Sequence, residues 1–163
     1  MKCIVKAIGV IDHDNQAHHV EFFPGLNIIT GKSSMGKSAI IEIFDFCLGN
    51  SDDTIPKGII TSRGKIFFTI LEMEACLLVL CRERTSDRLF LREFYEASLK
   101  DILEGMKKKD FYRPSCYFPL RDFKKELGRF FAITLVDVCS GQPIPDSGLS
   151  FSSATAGGNP SLN

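Results

Sequence analysis

Two glycines five residues apart, Gly31 and Gly36, are followed at once by Lys37 and Ser38, and the chain changes its periodicity across them. Upstream, Leu26-Asn27-Ile28-Ile29-Thr30 is a short apolar run of the kind found in a fully buried strand. Downstream, Ile40, Ile41, Phe44 and Leu48 recur at helical spacing, with Glu42 and Asp45 on other sides, until Gly49-Asn50 stops the helix. A strand that enters a glycine-bounded turn and leaves as an amphipathic helix points to the α/β class.

The turn itself carries chemistry. Gly31-Lys32-Ser33-Ser34-Met35-Gly36-Lys37-Ser38 satisfies G-x-x-x-x-G-K-[ST] at each fixed position, the pattern of a P-loop. Gly31 is expected to let the chain leave the strand in a conformation that a Cβ forbids, and Gly36 to let the backbone approach phosphates. The N–H groups between them form an anion-binding nest. The helix beginning near Lys37 adds an N-terminal partial charge of roughly +0.5. Lys37 brings a full charge to the β- and γ-phosphates, and the Ser38 hydroxyl ligates Mg²⁺. The expected cofactors are therefore ATP and Mg²⁺. Candidate cofactor-binding residues are Gly31, Ser33, Ser34, Met35, Gly36, Lys37, Ser38 and Ala39, with Ser38 also the metal ligand. No catalytic residue is assigned. A Gly/Ser-rich turn with an exposed lysine is the plain alternative. At average usage, about one glycine in fourteen, the four fixed positions coincide by chance in well under 1% of chains this long.

The 163 residues suffice for one domain with one core. Twenty basic and twenty acidic side chains cancel, so no net field draws the chain to nucleic acid or an anionic membrane, although a local basic patch is compatible with that balance. The six cysteines form no C-x-x-C pair and no metal spacing with the histidines. Cys3, Cys47, Cys76 and Cys81 lie in apolar segments and read as reduced core thiols. The start lacks the features of a signal peptide, and no apolar stretch is long enough to cross a bilayer. A soluble, cytoplasmic protein with no membrane partner is expected.

Around the loop, Cys3 to Ile11 and His18 to Phe23 read as a β-hairpin closed by the polar cluster Asp12 to Gln16. Ser51 to Gly64 is a polar loop. Lys65 to Met73 and Ala75 to Arg84 read as antiparallel neighbours. Phe94 to Met106 and Leu120 to Phe131 have helical periodicity, with Lys107-Lys108-Lys109-Asp110 as an exposed link between them. Phe130 to Val138 reads as a helix end passing into a last buried strand. Residues 140–163, rich in Gly, Pro, Ser and Ala, form a low-complexity tail that buries too little apolar area to offset the entropy of ordering. The expected organisation is a lobe over residues 1–139 and a loose tail over 140–163.

Val20 to Gly31 (V-E-F-F-P-G-L-N-I-I-T-G) and Gly36 to Gly49 (G-K-S-A-I-I-E-I-F-D-F-C-L-G) together resemble the N-terminal half of the ATPase heads of the SMC, RecF and RecN families, which are ABC-type P-loop NTPases with an AAA-like ATP-binding domain. Other P-loop kinases and GTPases usually begin almost directly with the phosphate strand, and here a hairpin precedes it. The resemblance covers about the first third of the chain. Ser33 and Ser34 stand where the SMC loop commonly has Asn and Gly, which points to a divergent bacterial branch. The resemblance implies an N-terminal lobe with an antiparallel hairpin before the Walker A strand, ATP held between two heads, a second ATPase head or C-terminal lobe as partner, and DNA as the working partner in maintenance, repair or defence.

Such a head also needs a Q-loop, a signature motif and a Walker B strand ending in Asp-Glu. Ala132 to Asp137 has the apolar-run-then-Asp form, but Val138 follows where the glutamate belongs. Ser140-Gly141-Gln142 is one glycine short of a signature and comes in the wrong order, and Gln142 as a Q-loop glutamine is disfavoured by Pro143. An incomplete lobe that binds nucleotide weakly and hydrolyses it poorly is expected. Two rivals remain: a small phosphotransferase, whose lid could draw only on Arg82, Arg84, Arg88 and Arg92, and a non-hydrolysing interaction module.

Other residues carry less. His13, His18 and His19 read as surface hairpin histidines. Lys107-Lys108-Lys109 with Phe111, Tyr112 and Arg113 interleaves basic and aromatic residues as nucleic-acid grooves do, with a solvated loop as the simpler reading. Glu93, Glu96, Asp101 and Glu104 read as outer-face helical residues.

Overall fold

The computed structural model describes residues 2–32 and 36–132. Ser33, Ser34 and Met35 lie outside the described residues, as do the Walker B-like run from 133, Gln142 and the tail.

In chain order the elements are β1 (Ile4–Asp12), β2 (Ala17–Glu21), α1 (Lys37–Cys47), α2 (Ile59–Arg63), β3 (Gly64–Glu72), β4 (Leu77–Arg82), β5 (Arg88–Phe94), α3 (Leu99–Met106), β6 (Tyr117–Pro119) and α4 (Leu120–Phe130). The six strands make one sheet in the order β2-β1-β3-β4-β5-β6, with each neighbouring pair antiparallel. The hairpin stands where the turn cluster placed it. Asp12 Oδ1 accepts from the backbone N–H of Asp14 at 2.9 Å and of Gln16 at 2.8 Å, which closes the turn. His18 Nε2 lies 2.7 Å from Asp12 Oδ2 and His19 Nε2 lies 3.2 Å from Glu21 Oε1, so both are ordinary hairpin side chains.

Strand alternation divides the core between the two sheet faces. Phe67, Leu71, Leu78, Leu80 and Leu89 meet Ile43, Phe46 and Cys47 of α1 and Phe123 and Leu127 of α4. Ile66, Phe68, Ile70, Val79, Cys81 and Phe90 meet Ile102, Leu103 and Met106 of α3, together with Phe111. Because β3 and β4 are covered on both sides, their sequences are nearly continuous apolar runs. Each fully buried side chain of this size stabilises the fold by about 1.5–3 kcal/mol.

Three expectations are corrected. Leu26 to Thr30 forms no strand: Leu26 is 89% and Ile28 74% exposed, because no described strand lies beside the segment to pair with it. The helix expected over 94–106 begins only at Leu99. Ser98 caps it, its Oγ accepting from Asp101 N at 3.2 Å while the Asp101 carboxylate reaches back to Ser98. Of the residues before the helix, Phe94 ends β5, whose Leu89, Phe90 and Leu91 are all buried and so show no alternation to read, and residues 95–98 belong to no helix or strand. Glu93 therefore lies on a strand and Glu96 in a turn at φ 45°, while Glu104 pairs with Lys107 at 2.7 Å. Finally, Cys47 and Cys81 are buried but Cys3 is exposed, outside the paired part of β1. Burial pushes the Cys47 thiol up to about 12, which keeps it protonated.

Candidate phosphate-binding site

Helix α1 is positioned by its buried face, Ala39, Ile43, Phe46 and Cys47, against the sheet. Its start is set by Gly36, which takes φ 76° and ψ 18° as the residue before the first helical turn. That left-handed conformation favours glycine, and an added Cβ would stand 3.0 Å from Ile60 Cδ1. Gly31 has φ 158°, also a value that L side chains rarely adopt, and a Cβ there would meet Lys37 side-chain atoms at 3.9 Å. Of the two glycines, Gly36 has the closer steric neighbour.

Lys37 folds back across the loop. Its Nζ donates to the carbonyl of Gly31 at 2.6 Å and to that of Lys32 at 2.7 Å. The ammonium thus sits at the start of the loop, held by neutral acceptors that a polyphosphate oxygen outcompetes on charge. Ser38 is exposed at the first turn of α1. Ala39 is buried, and its N–H donates to Gly36 O at 3.1 Å. The four N-terminal N–H groups of a helix have no partner four residues back within it, so this end attracts anions.

The entry to this loop carries a signal that the glycine pattern alone does not explain. Asn27 Oδ1 accepts from Phe23 N at 2.9 Å, and Asn27 Nδ2 donates to Phe23 O at 2.7 Å and to Gly25 O at 3.2 Å. The side chain mimics a strand partner and closes the Pro24-Gly25 turn. Beside the loop is a cleft of ≈ 500 Å³ lined by Val5, Ile8, Phe22, Ile29, Ile40 and Phe44, with Lys37 and Ser38 at its rim. No carboxylate lines it among the described residues.

Comparison with known protein families matches residues 2–112 to the family described as AAA domain, which spans most of the chain. The chain belongs to the AAA domain family. Comparison with curated proteins and with solved structures gave no match. AAA domains are nucleotide-binding modules of P-loop ATPases, which generally use ATP and Mg²⁺, and the matched region contains the loop, α1 and five of the six strands. Among the described residues no group of His, Cys, Asp or Glu could hold a metal. The donor set nevertheless suits Mg²⁺ in an AAA domain, because this ion keeps several waters and takes its other ligands from phosphate oxygens. Ser38 Oγ would supply one ligand.

The remaining candidates fall elsewhere. Arg82 and Arg84 are engaged at the far end of α1 and in the loop after it, and Arg92 donates to Phe111 O at 2.9 Å while lying 4.5 Å from the Phe94 ring centre. They do not converge on Lys37. Phe111 is buried and stacks on Phe94 at 5.3 Å, and Tyr112 Oη donates to Met106 O at 2.9 Å, so neither ring is free to stack on a base. Among the described residues no helix is long and apolar enough to cross a membrane.

Proposed function

We propose that this AAA domain is the nucleotide-binding lobe of an SMC-like ATPase head, cytoplasmic and working on DNA. The observation that carries the nucleotide part is the position of Lys37 Nζ between the Gly31 and Lys32 carbonyls, at the start of a helix whose first turn presents Ser38. A cation held by exchangeable neutral partners at a helix N-terminus is a seat for the β- and γ-phosphates. In this reading Gly31, Gly36 and Ala39 shape the seat, and Ser33, Ser34 and Met35 are further expected phosphate contacts.

Phe23, Leu26, Ile28, Ile29 and Ile41, all next to the loop, are among the large apolar side chains most exposed to water. We assign this strip to a second lobe or second head, which would lay strands beside Leu26 to Thr30 and bring the carboxylate that the cleft does not contain. Bound alone, nucleotide is held but turned over slowly, because among the described residues no carboxylate lines the cleft beside Ser38 to activate water.

Titration with Mg-ATP tests this. Saturable binding that inorganic pyrophosphate competes away, and that Lys37→Ala abolishes, is the expected result. An equal signal from Lys37→Ala would remove the proposal.

A further inference from the structure

One arginine grips the phosphate-site helix at the end opposite its lysine. Arg82, the last residue of β4, sends Nη1 to the carbonyl of Phe46 at 3.1 Å and to that of Asn50 at 2.6 Å. Its guanidinium lies 4.2 Å from the centre of the Phe46 ring. All three contacts are to the end of α1 or to the turn that follows it. The same turn is already closed by backbone bonds from Leu48 N to Phe44 O, Gly49 N to Phe46 O and Asn50 N to Asp45 O. The adjacent loop is tied down too, by Arg84 Nε to Asp53 Oδ2 at 2.5 Å and by Thr54 Oγ1 donating to Glu42 on α1.

Among the described residues, the other end of α1 has no comparable anchor: Gly36 offers no side chain to cap the helix, and the Lys37 ammonium donates to the loop that is to receive a ligand. Between the ends, α1 rests on the sheet through Ala39, Ile43, Phe46 and Cys47. Such apolar contacts resist lifting the helix more than sliding it, since they are non-directional. Hydrogen bonds are directional, and those to a charged donor are the stronger kind. The helix C-terminus also carries partial negative charge that favours a cation there. An 11-residue helix is about 16 Å long, so a shift fixed at Phe46 is delivered nearly whole to Lys37 and Ser38.

We propose that Arg82 is a positioning residue of the phosphate site: by clamping Phe46 O and Asn50 O and covering the Phe46 ring, it sets where α1 seats and hence where Lys37 Nζ and Ser38 Oγ stand. This rests on the nucleotide reading above. A planar guanidinium is needed, because it stacks on a ring and donates in its own plane at once. An ammonium keeps the charge but not the stack.

The test compares the unsubstituted chain with Arg82→Lys, Arg82→Met and, as a control on the neighbouring loop, Arg84→Met. Affinity for Mg-ATP is read well below each melting temperature, with folding checked by circular dichroism. A residue serving stability alone would lower the melting temperature and leave the affinity of the folded chain unchanged. The expected series is graded, with Arg82→Met weaker by about tenfold, Arg82→Lys weaker by about threefold, and Arg84→Met within about twofold of the unsubstituted chain. Unchanged affinity in folded Arg82→Met overturns the inference while leaving the phosphate site standing. If Arg82→Met does not fold, unchanged affinity in Arg82→Lys does the same. Absence of binding by the unsubstituted chain overturns the nucleotide reading and this inference with it.

Discussion

Lys37 Nζ lies 2.6 Å from the carbonyl oxygen of Gly31, so the lysine of the loop pattern holds the residue that begins it. In the proposed complex, phosphate oxygens take the place of the two neutral acceptors, the Gly31 and Lys32 carbonyls, on Lys37 Nζ. Lys37→Ala is therefore expected to fold with stability within about 0.5 kcal/mol of the unsubstituted chain, because its two bonds are solvent-exposed. The stabilisation conferred by Mg-ATP should vanish in the same variant. Thermal denaturation with and without Mg-ATP separates the two effects.

Gly36 carries a different load. At φ 76°, with Ile60 Cδ1 3.0 Å from where a Cβ would lie, Gly36→Ala is expected to cost about 1–2 kcal/mol in the absence of ligand. Urea unfolding reads this directly. A loss no larger than that of a surface Gly58→Ala, where nothing lies within 4 Å of the added Cβ, would contradict the assigned conformation.

The apolar strip and the core should respond oppositely. Leu26→Ser combined with Ile28→Ser removes side chains that are 89% and 74% exposed, and should change chain stability by less than about 0.5 kcal/mol. Phe123→Ala, at a fully buried position, should cost about 3–5 kcal/mol. If the strip is an interface, the double variant should also self-associate less in sedimentation experiments. A large loss of stability in the double variant would mean that Leu26 to Thr30 is packed in solution.

The hairpin turn sets an acid limit. The Asp12 carboxylate is held below its ordinary value of 3.8, first by the backbone N–H of Gln16 and then by His18. A depressed carboxylate stabilises the fold fully above its unfolded value, and the contribution disappears as pH falls through the lower folded value. Stability measured from about pH 6 downward should therefore drop below about pH 4, and Asp12→Asn should flatten that part of the profile. An identical acid slope in the variant would assign it to other carboxylates, such as Asp101, which is lowered chiefly by the Ser98 hydroxyl.

Much of the architecture was legible because its signals are local. Asp12 and Gly49 mark turns by their own chemistry. The covered strands β3 and β4 declare themselves as apolar runs, and α4 by its periodicity. Strand β5 was not legible: its buried apolar run, Leu89 to Leu91, is only three residues long between Arg88 and Arg92, too short to tell strand from helix. The basic and aromatic run after α3, whose simpler reading is a solvated loop, holds two rings whose packing is not written in their neighbours along the chain. Phe111 and Tyr112 look like a binding surface in sequence, yet the fold draws both into contact with Phe90.

By itself the sequence determined the spacing of Gly31, Gly36, Lys37 and Ser38, the hairpin before them and the helix after them, since each depends on residues close along the chain. Only the tertiary structure decided that Leu26 to Thr30 stands exposed and that Arg82, 32 positions beyond Asn50, grips the turn after α1. Burial and long-range hydrogen bonds belong to pairs of segments, and a single segment read along its length does not contain its partner.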